Sequence, residues 1–284
     1  MDWVERLNVA IRYIDENLTG EIEYEKLGQI ACCSAYHFQR MFSYIAGMPL
    51  SEYIRKRRMS LAAVDLQGGN AKIIDVAAKY GYASPTAFNR AFQSVHGISP
   101  SSVKNDGVEV KSFPPITFKI TVKGVEELNY RIENKGAFRI VGKSYPLSRE
   151  IEQNFLQVPQ MWQNAVLDGT LEKIISLMNN APQGVLGVTA CSDAEDWRYY
   201  IAVSSTADID ASLEAYMIPA GVWAVFPGAG TGKSIQELER RIVTEWLPTS
   251  GYEFTEGPDI EVYFNPNPEN TAYEVWIPVQ KKQP

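Results

Sequence analysis

The sequence predicts a two-part protein: an all-α N-terminal region over residues 1–104 and a C-terminal α+β domain over residues 129–282, joined by a connector at 105–128. Three observations predict it. Between Trp3 and Lys104 the only prolines are Pro49, Pro85 and Pro100, and apolar residues recur with the period of a helix. One segment of that region recurs fifty residues later. From Asn129 onward the pattern shortens to the alternation of strands, interrupted by helical stretches. Charge divides along the same line. Residues 1–104 carry 12 Lys/Arg against 10 Asp/Glu, and residues 105–284 carry 15 against 24, so a mildly basic front precedes an acidic back of net charge −9.

At 284 residues the chain has room for two domains, and 45% apolar with 21% charged residues is ordinary for a soluble globular protein. No run of about 18 apolar residues occurs, and the first twenty residues hold Asp2, Glu5, Arg6 and Arg12. A cytoplasmic chain with neither membrane span nor signal peptide is expected. Cys32, Cys33 and Cys191 form no C-x-x-C pair, so neither a disulfide framework nor a metal site is indicated, and the vicinal pair is expected to be inert packing. Both histidines, His37 and His96, precede residue 105, which leaves the back half without a histidine base or ligand.

The repeated segment is "SAYHFQRMFSYIAG" from Ser34 and "SPTAFNRAFQSVHG" from Ser84. Ser34 and Ser84 are placed to cap a helix N-terminus, and Gly47 and Gly97 to close its C-terminus. Pro85 suits the first helical position. Each copy follows a short helical run, "YEKLGQIAC" or "IIDVAAKYGYA", so each is a helix-turn-helix unit. Ser51 to Leu66 reads as a connecting helix of roughly 24 Å, a length suited to holding two reading helices about one DNA turn apart. On the helical wheel Phe38, Met41, Phe42 and Ile45, like Phe88, Ala91, Phe92 and Val95, form the core face. The opposite faces hold Tyr36, Gln39, Arg40 and Ser43 in the first copy, and Thr86, Asn89, Arg90 and Gln93 in the second. Arg, Gln and Asn are the side chains that pair bidentately with guanine and adenine edges. Arg55, Arg57 and Arg58 in "RKRR", with Lys72 and Lys79, are expected to contact phosphates, which fixes register without reading bases.

In the back half "NYRIENKGAFRIVGKSYPL" is strand material with a turn at Asn134–Gly136, and "REIEQNFLQVPQMWQNAVL" is helical. "GVLGVTAC" and "WRYYIAVS" then form a hairpin pair. The order repeats: "YMIPAGVWAVFPG" as strand, "SIQELERRIVTEWL" as helix, "DIEVYF" and "AYEVWIPV" as hairpin. This is a duplicated β-α-β-β unit with helices over an antiparallel sheet and a cleft between the halves. "VFPGAGTGKSIQEL" deserves a separate test, because Gly232-Lys233-Ser234 ends like a phosphate-cradling loop. That loop needs a glycine where Pro227 stands, and proline has no N–H to give. The stretch is therefore predicted to be a helix entry capped by Thr231 or Ser234.

The doubled S-x-x-x-F-x-R-x-F-x-x-x-x-G pattern, with "IIDVAAKYGYASPTAFNRAF" in the second copy, resembles the AraC/XylS transcription regulators over residues 5–104. Gly28 and Cys32 depart from it, standing where that family has alanine and a turn glycine. "AFRIVGKSY", "TEWLPTSGYEF", "DIEVYF" and "YEVWIPV" resemble the GyrI-like effector-binding domains over residues 125–282, and the two together resemble the Rob-type architecture. The resemblance implies a DNA-binding transcription regulator acting on promoter DNA, with RNA polymerase as a further partner. It also implies a small aromatic, cationic effector held between the two repeats, in the manner of multidrug sensors. A glutamate of the last strand lies at the heart of such pockets, which implies Glu274 here, with Glu261 as second candidate. Trp162, Tyr200, Trp223, Tyr263 and Trp276 are the expected walls, with Trp197 also available. A carboxylate in an aromatic cleft needs a cationic partner. For any single aromatic plain core packing is the favoured reading, and for Glu274 the alternative is an exposed strand carboxylate paired to a neighbouring Arg. No cofactor or catalytic residue is expected, although some GyrI-like domains are hydrolases of reactive aromatic ligands. An effector-free interaction module is the third reading.

Overall fold

The computed structural model describes residues 3–67, 71–105, 107–119, 127–191, 196–265 and 271–282. It divides into two compact units, residues 1–31 with 46–120 and residues 32–45 with 121–284. Residues 35–46, expected to form the first reading helix, thus belong to the second unit.

The first unit contains α1 (Trp3–Glu16), α2 (Tyr24–Ala31), α4 (Leu50–Gln67), α5 (Ile73–Lys79) and α6 (Pro85–His96). The helix α3 (Ala35–Ala46) lies between α2 and α4 in the chain. The predicted caps form. Ser84 Oγ accepts from Ala87 N–H at 3.2 Å, Pro85 opens α6, and Gly97 ends it at φ 80°. Phe88, Phe92 and Val95 are buried with Met59, Leu66, Val76 and Tyr80 in one cluster, so the wheel assigned this core face correctly. The turn after α5 needs a left-handed residue and has Gly81 at φ 82°, and the turn after α2 uses Cys32 at φ 57°. A Cβ in that region costs about 1–2 kcal/mol. Cys32→Gly is therefore expected to stabilise the chain by about 1 kcal/mol, read as a rise in the denaturant midpoint.

Residues 107–119 carry no strand; they form a strap along the helices. Phe113 N–H donates to Ser60 Oγ at 2.9 Å, its carbonyl accepts from Arg57 Nη1 at 2.6 Å, and Asn8 exchanges two hydrogen bonds with the Phe118 backbone. The buried His96 belongs to the same strap. Its Nδ1 accepts from Lys111 N–H at 3.1 Å while Nε2 faces the Met59 carbonyl at 3.0 Å, an arrangement that fits only the neutral ring. Burial first, then Lys111, holds its pKa below the ordinary value despite the Met59 contact. The unfolded chain therefore binds the proton more readily, and stability is present above the unfolded pKa and lost as pH falls. Lowering pH from 7.5 to 5 should reduce the denaturant midpoint reported by Trp3, the single tryptophan before residue 121, and His96→Ala should flatten that dependence.

The second unit holds α3 together with β1 (Arg131–Lys135), β2 (Phe138–Pro146), α7 (Ile151–Leu167), α8 (Thr170–Ser176), β3 (Val185–Cys191), β4 (Trp197–Ser204), β5 (Glu214–Ile218), β6 (Gly221–Gly230), α9 (Gly232–Arg241), β7 (Tyr252–Phe254), β8 (Asp259–Tyr263) and β9 (Thr271–Lys281). The antiparallel sheet runs β1-β6-β9-β8-β3-β4-β2-β5, with β7 added beside β9. β2-α7-β3-β4 and β6-α9-β8-β9 are the duplicated units, meeting where β3 pairs β8. The strand material on either side of the Asn134–Gly136 turn does not pair with itself: β1 pairs β6 and β5 pairs β2, each with the other half. That exchange was hidden in the sequence because a local turn and a crossing to the other half use the same strand pattern.

The glycine-rich stretch is the predicted helix entry. Thr231 is the N-cap and its N–H donates to Ser234 Oγ at 3.1 Å. Gly230 sits at φ 129°, and a Cβ there would lie 2.3 Å from that same Oγ. Its strand, β6, is antiparallel to both neighbours. No helix among the described residues is long and apolar enough to cross a membrane.

Candidate functional site

A helix laid over a sheet normally buries an apolar stripe, yet α7 buries only Ile151, Asn154 and Ala165 along seventeen residues. The reason is a cavity of about 630 Å³ in the second unit. Phe155, Val158, Pro159 and Trp162 of α7 form one wall, and Ile235 and Gln236 of α9 with the Gly230–Gly232 turn form another. Its floor is the β3–β8 seam where the halves meet, contributing Val185, Thr189, Glu261 and Tyr263, with Tyr199 from β4. Tyr36, Arg40 and Tyr44 of α3 complete the lining.

Glu261 is the floor's carboxylate. Tyr263 donates to its Oε2 at 2.7 Å and Tyr199 faces the same oxygen at 3.3 Å. Trp162 Nε1 donates in turn to the Tyr199 hydroxyl at 2.9 Å, and its ring meets Tyr263 edge-on at 5.1 Å. Gly187 opposite leaves the room this needs, since a Cβ there would lie 2.3 Å from the Tyr199 hydroxyl and 2.9 Å from Glu261 Oε2. Burial first, then Glu261, drives the pKa values of Tyr199 and Tyr263 well above the ordinary phenol, so both remain donors.

Beside this floor α3 meets two further acids. Arg40 pairs with Glu239 through Nη2, reaches Asp259 Oδ2 at 3.3 Å and stands 3.9 Å from Glu261 Oε1. Tyr44 donates to Glu239 at 2.6 Å. His37 Nε2 lies 2.7 Å from Asp259 Oδ2, and its Nδ1 lies 2.8 Å from Ser34 Oγ. Desolvation works to lower the Arg40 pKa, but Tyr44, Tyr36, Asp259 and Glu261 more than offset it, and the guanidinium stays charged. Burial opposes ionisation of Asp259, yet His37 and Arg40 bring its pKa below the ordinary value. Cys33 is held as a thiol by burial, then by Cys32 and Asp259, which is poor chemistry for a redox sensor.

Of the wall residues expected from sequence, Trp162 and Tyr263 line the cavity. Glu274, Tyr200, Trp223 and Trp276 are on the other face of the sheet. The register explains it: Val262 opposes Glu274 and Ile260 opposes Trp276, so these four share a face that Glu261 does not. Tyr200, Trp223 and Trp276 are buried there with Ile140, Val188 and Ile260. Glu274 accepts from Arg131 Nη1 at 2.8 Å and from Trp276 Nε1 at 2.8 Å, so its charge is met within the sheet. Trp197 is buried against Tyr36, edge-on at 5.3 Å. Glu239, Asp259, Tyr199 and Phe155 were missed by sequence. "DIEVY" did hold a signal: its polar residues alternate strictly with Ile260 and Val262, which puts three hydrogen-bonding side chains on one strand face.

The two faces expected to read bases differ. Thr86, Arg90 and Gln93 of α6 are exposed and Asn89 is half-buried. In α3 the corresponding Tyr36 and Gln39 are buried and Arg40 and Ser43 half-buried, Ser43 donating to the Gln39 carbonyl at 2.9 Å. Among the expected phosphate contacts, Arg55 is exposed beside Glu52. Arg57 is buried on Asp15 at 2.7 Å and the Phe113 carbonyl, and Arg58 donates to the Leu18 and Gly20 carbonyls at 2.9 and 2.8 Å. These two tie elements of the first unit together. Lys72 and Lys79 are exposed, Lys79 pairing with Asp65 at 2.7 Å.

Comparison with known proteins identifies both parts of the chain. Residues 128–280 match the GyrI-like small molecule binding domain, and residues 27–106 match a helix-turn-helix domain. The regulatory protein SoxS of Salmonella typhimurium is 32% identical over 99 residues, 35% of this chain and 92% of that one. The HTH-type transcriptional activator AarP of Providencia stuartii is 43% identical over 89 residues, 31% of this chain and 66% of that one. Among solved structures, SAV2435 bound to tetraphenylphosphonium has a TM-score of 0.47 at 19% identity, covering 54% of this chain and 94% of that one.

Proposed function

Because the chain belongs to the AraC-type helix-turn-helix regulators and carries a GyrI-like small molecule binding domain, we propose that it regulates transcription in response to a lipophilic aromatic cation held against Glu261. The observation that carries this reading is a carboxylate placed on the floor of an aromatic cavity, with Trp162, Tyr199 and Tyr263 around it. The cavity volume lies in the range of small-molecule sites. A cation there gains the Glu261 charge in a poorly solvated setting, and each aromatic face adds about 0.5–2 kcal/mol. Phe155, Val158 and Val166 favour an apolar body on that cation. The effector is bound and released unchanged, the chain acts in the cytoplasm, and RNA polymerase is its partner at the promoter. Base readout falls to Thr86, Asn89, Arg90 and Gln93, with Tyr36, Gln39, Arg40 and Ser43 as the second reading set. Arg55 and Lys72 take phosphates.

The test is a tryptophan-fluorescence titration of the full chain with tetraphenylphosphonium and other lipophilic cations. Glu261→Gln should weaken binding by about tenfold or more, equivalent to about 1.4 kcal/mol. Glu274→Gln should bind like the wild type. The reverse ranking, or equal binding by all three proteins, would remove Glu261 as counter-charge. Cation recovered chemically altered after incubation would instead indicate a hydrolase.

A further inference from the structure

The cavity already holds a cation, and the chain supplies it. Arg40 projects from the face of α3 expected to read bases, and in the second unit that face is turned into the cavity lining with Tyr36 and Tyr44. Its guanidinium meets Glu239, Asp259 and Glu261, three carboxylates drawn from α9 and β8. Gln39, one residue before it, is buried with its Nε2 lacking a hydrogen-bond partner, a cost that a permanent interface tends to remove. Asp259 Oδ1 is likewise buried without a donor. The seat is thus strong in charge and imperfect in hydrogen bonding, as suits a contact made to be broken.

We propose that Arg40 is a tethered competitor for the effector: the α3 guanidinium occupies the cavity's acids, an entering lipophilic cation takes its place, and α3 is thereby released with its reading face free. The inference rests on the cation-binding reading above and adds the competitor. While Arg40 is seated, Tyr36, Gln39 and Arg40 are withheld from a DNA duplex, because one side-chain face cannot meet the cavity and base edges at once. Competition also weakens the effector's apparent affinity by the fraction of molecules whose cavity is open.

Two measurements on the full chain test it. In tetraphenylphosphonium titrations Arg40→Ala should bind about tenfold or more tightly than wild type, the gain expected when about one molecule in ten was open. Arg40→Lys, which keeps the cation, should stay close to wild type. Hydrogen exchange supplies the second readout: saturating tetraphenylphosphonium should speed exchange of the 35–46 amides about tenfold or more in the wild type and leave those of α6 unchanged. Equal or weaker binding by Arg40→Ala would overturn the competition while leaving the cation-binding reading intact. So would unchanged exchange in α3 at saturating cation. No binding by either protein would overturn both.

Discussion

Trp276→Ala should destabilise the C-terminal unit by about 3–5 kcal/mol while leaving the cation affinity of the folded protein within about twofold of wild type. Trp276 is almost fully buried, packs 6.5 Å from Trp223, and carries the Lys135 ammonium 5.0 Å from its ring. Removing an indole from such a site loses its transfer free energy and leaves a void that a sheet cannot close. Trp162→Ala makes the contrast. That ring is half-buried over the cavity, and its main polar contact is the Tyr199 hydroxyl. Its loss should cost roughly 1 kcal/mol of stability, the worth of one hydrogen bond, and weaken tetraphenylphosphonium binding about tenfold. Denaturant midpoints and fluorescence titrations on the two variants separate core from wall. A Trp276→Ala chain that folds normally but binds no cation would show that the effector lies on the opposite face of the sheet.

The second large effect falls on α6. Phe88 is completely buried, its ring 5.7 Å from Phe92 and 5.6 Å from Tyr82. Phe88→Ala should cost about 3–5 kcal/mol, a large share of the 5–15 kcal/mol that holds a domain folded. The Trp3 signal should then report unfolding of the first unit at much lower denaturant. Arg90, two residues on, is exposed. Arg90→Ala should leave that midpoint within about 0.5 kcal/mol. Against a duplex selected by the wild-type chain from a random pool, it should lose about 1–3 kcal/mol of binding and relax preference at one base. Uniformly weaker binding to every duplex would make Arg90 a phosphate contact instead.

The α6 pair shows how much of the first unit was legible. Its caps, core stripe and exposed polar face are consequences of a 3.6-residue period, in which each side chain's role depends on neighbours three and four positions away. The same arithmetic served α3 for its core side but did not foresee the burial of Tyr36 and Gln39 on its polar side. Nothing local in "AYHFQRMFSYIA" records that Glu239 and Asp259, about two hundred residues further on, would meet Arg40. Arg57 and Arg58 show the same limit: a run of basic residues shows its charge, not the carbonyls of Phe113, Leu18 and Gly20 that take it up.

In the C-terminal unit the sequence alone determined the duplicated strand–helix–strand–strand order, the helix entry at Thr231, and the pairing of Glu274 with Trp276 on one face. Period-two alternation is a property of a single strand, so it survives without knowledge of neighbours. Tertiary structure decided which face looked into the cavity. That choice depends on the β8–β9 register and on which side α7 and α9 cover, and a shift of one residue in β9 would bring Glu274 onto the face of Glu261. It also decided that β1 and β5 cross to the opposite halves, and that Arg40 of α3 would sit among Glu239, Asp259 and Glu261. Charges and strand edges act on whatever the fold brings within a few ångströms, and that proximity is written in no local stretch of the chain.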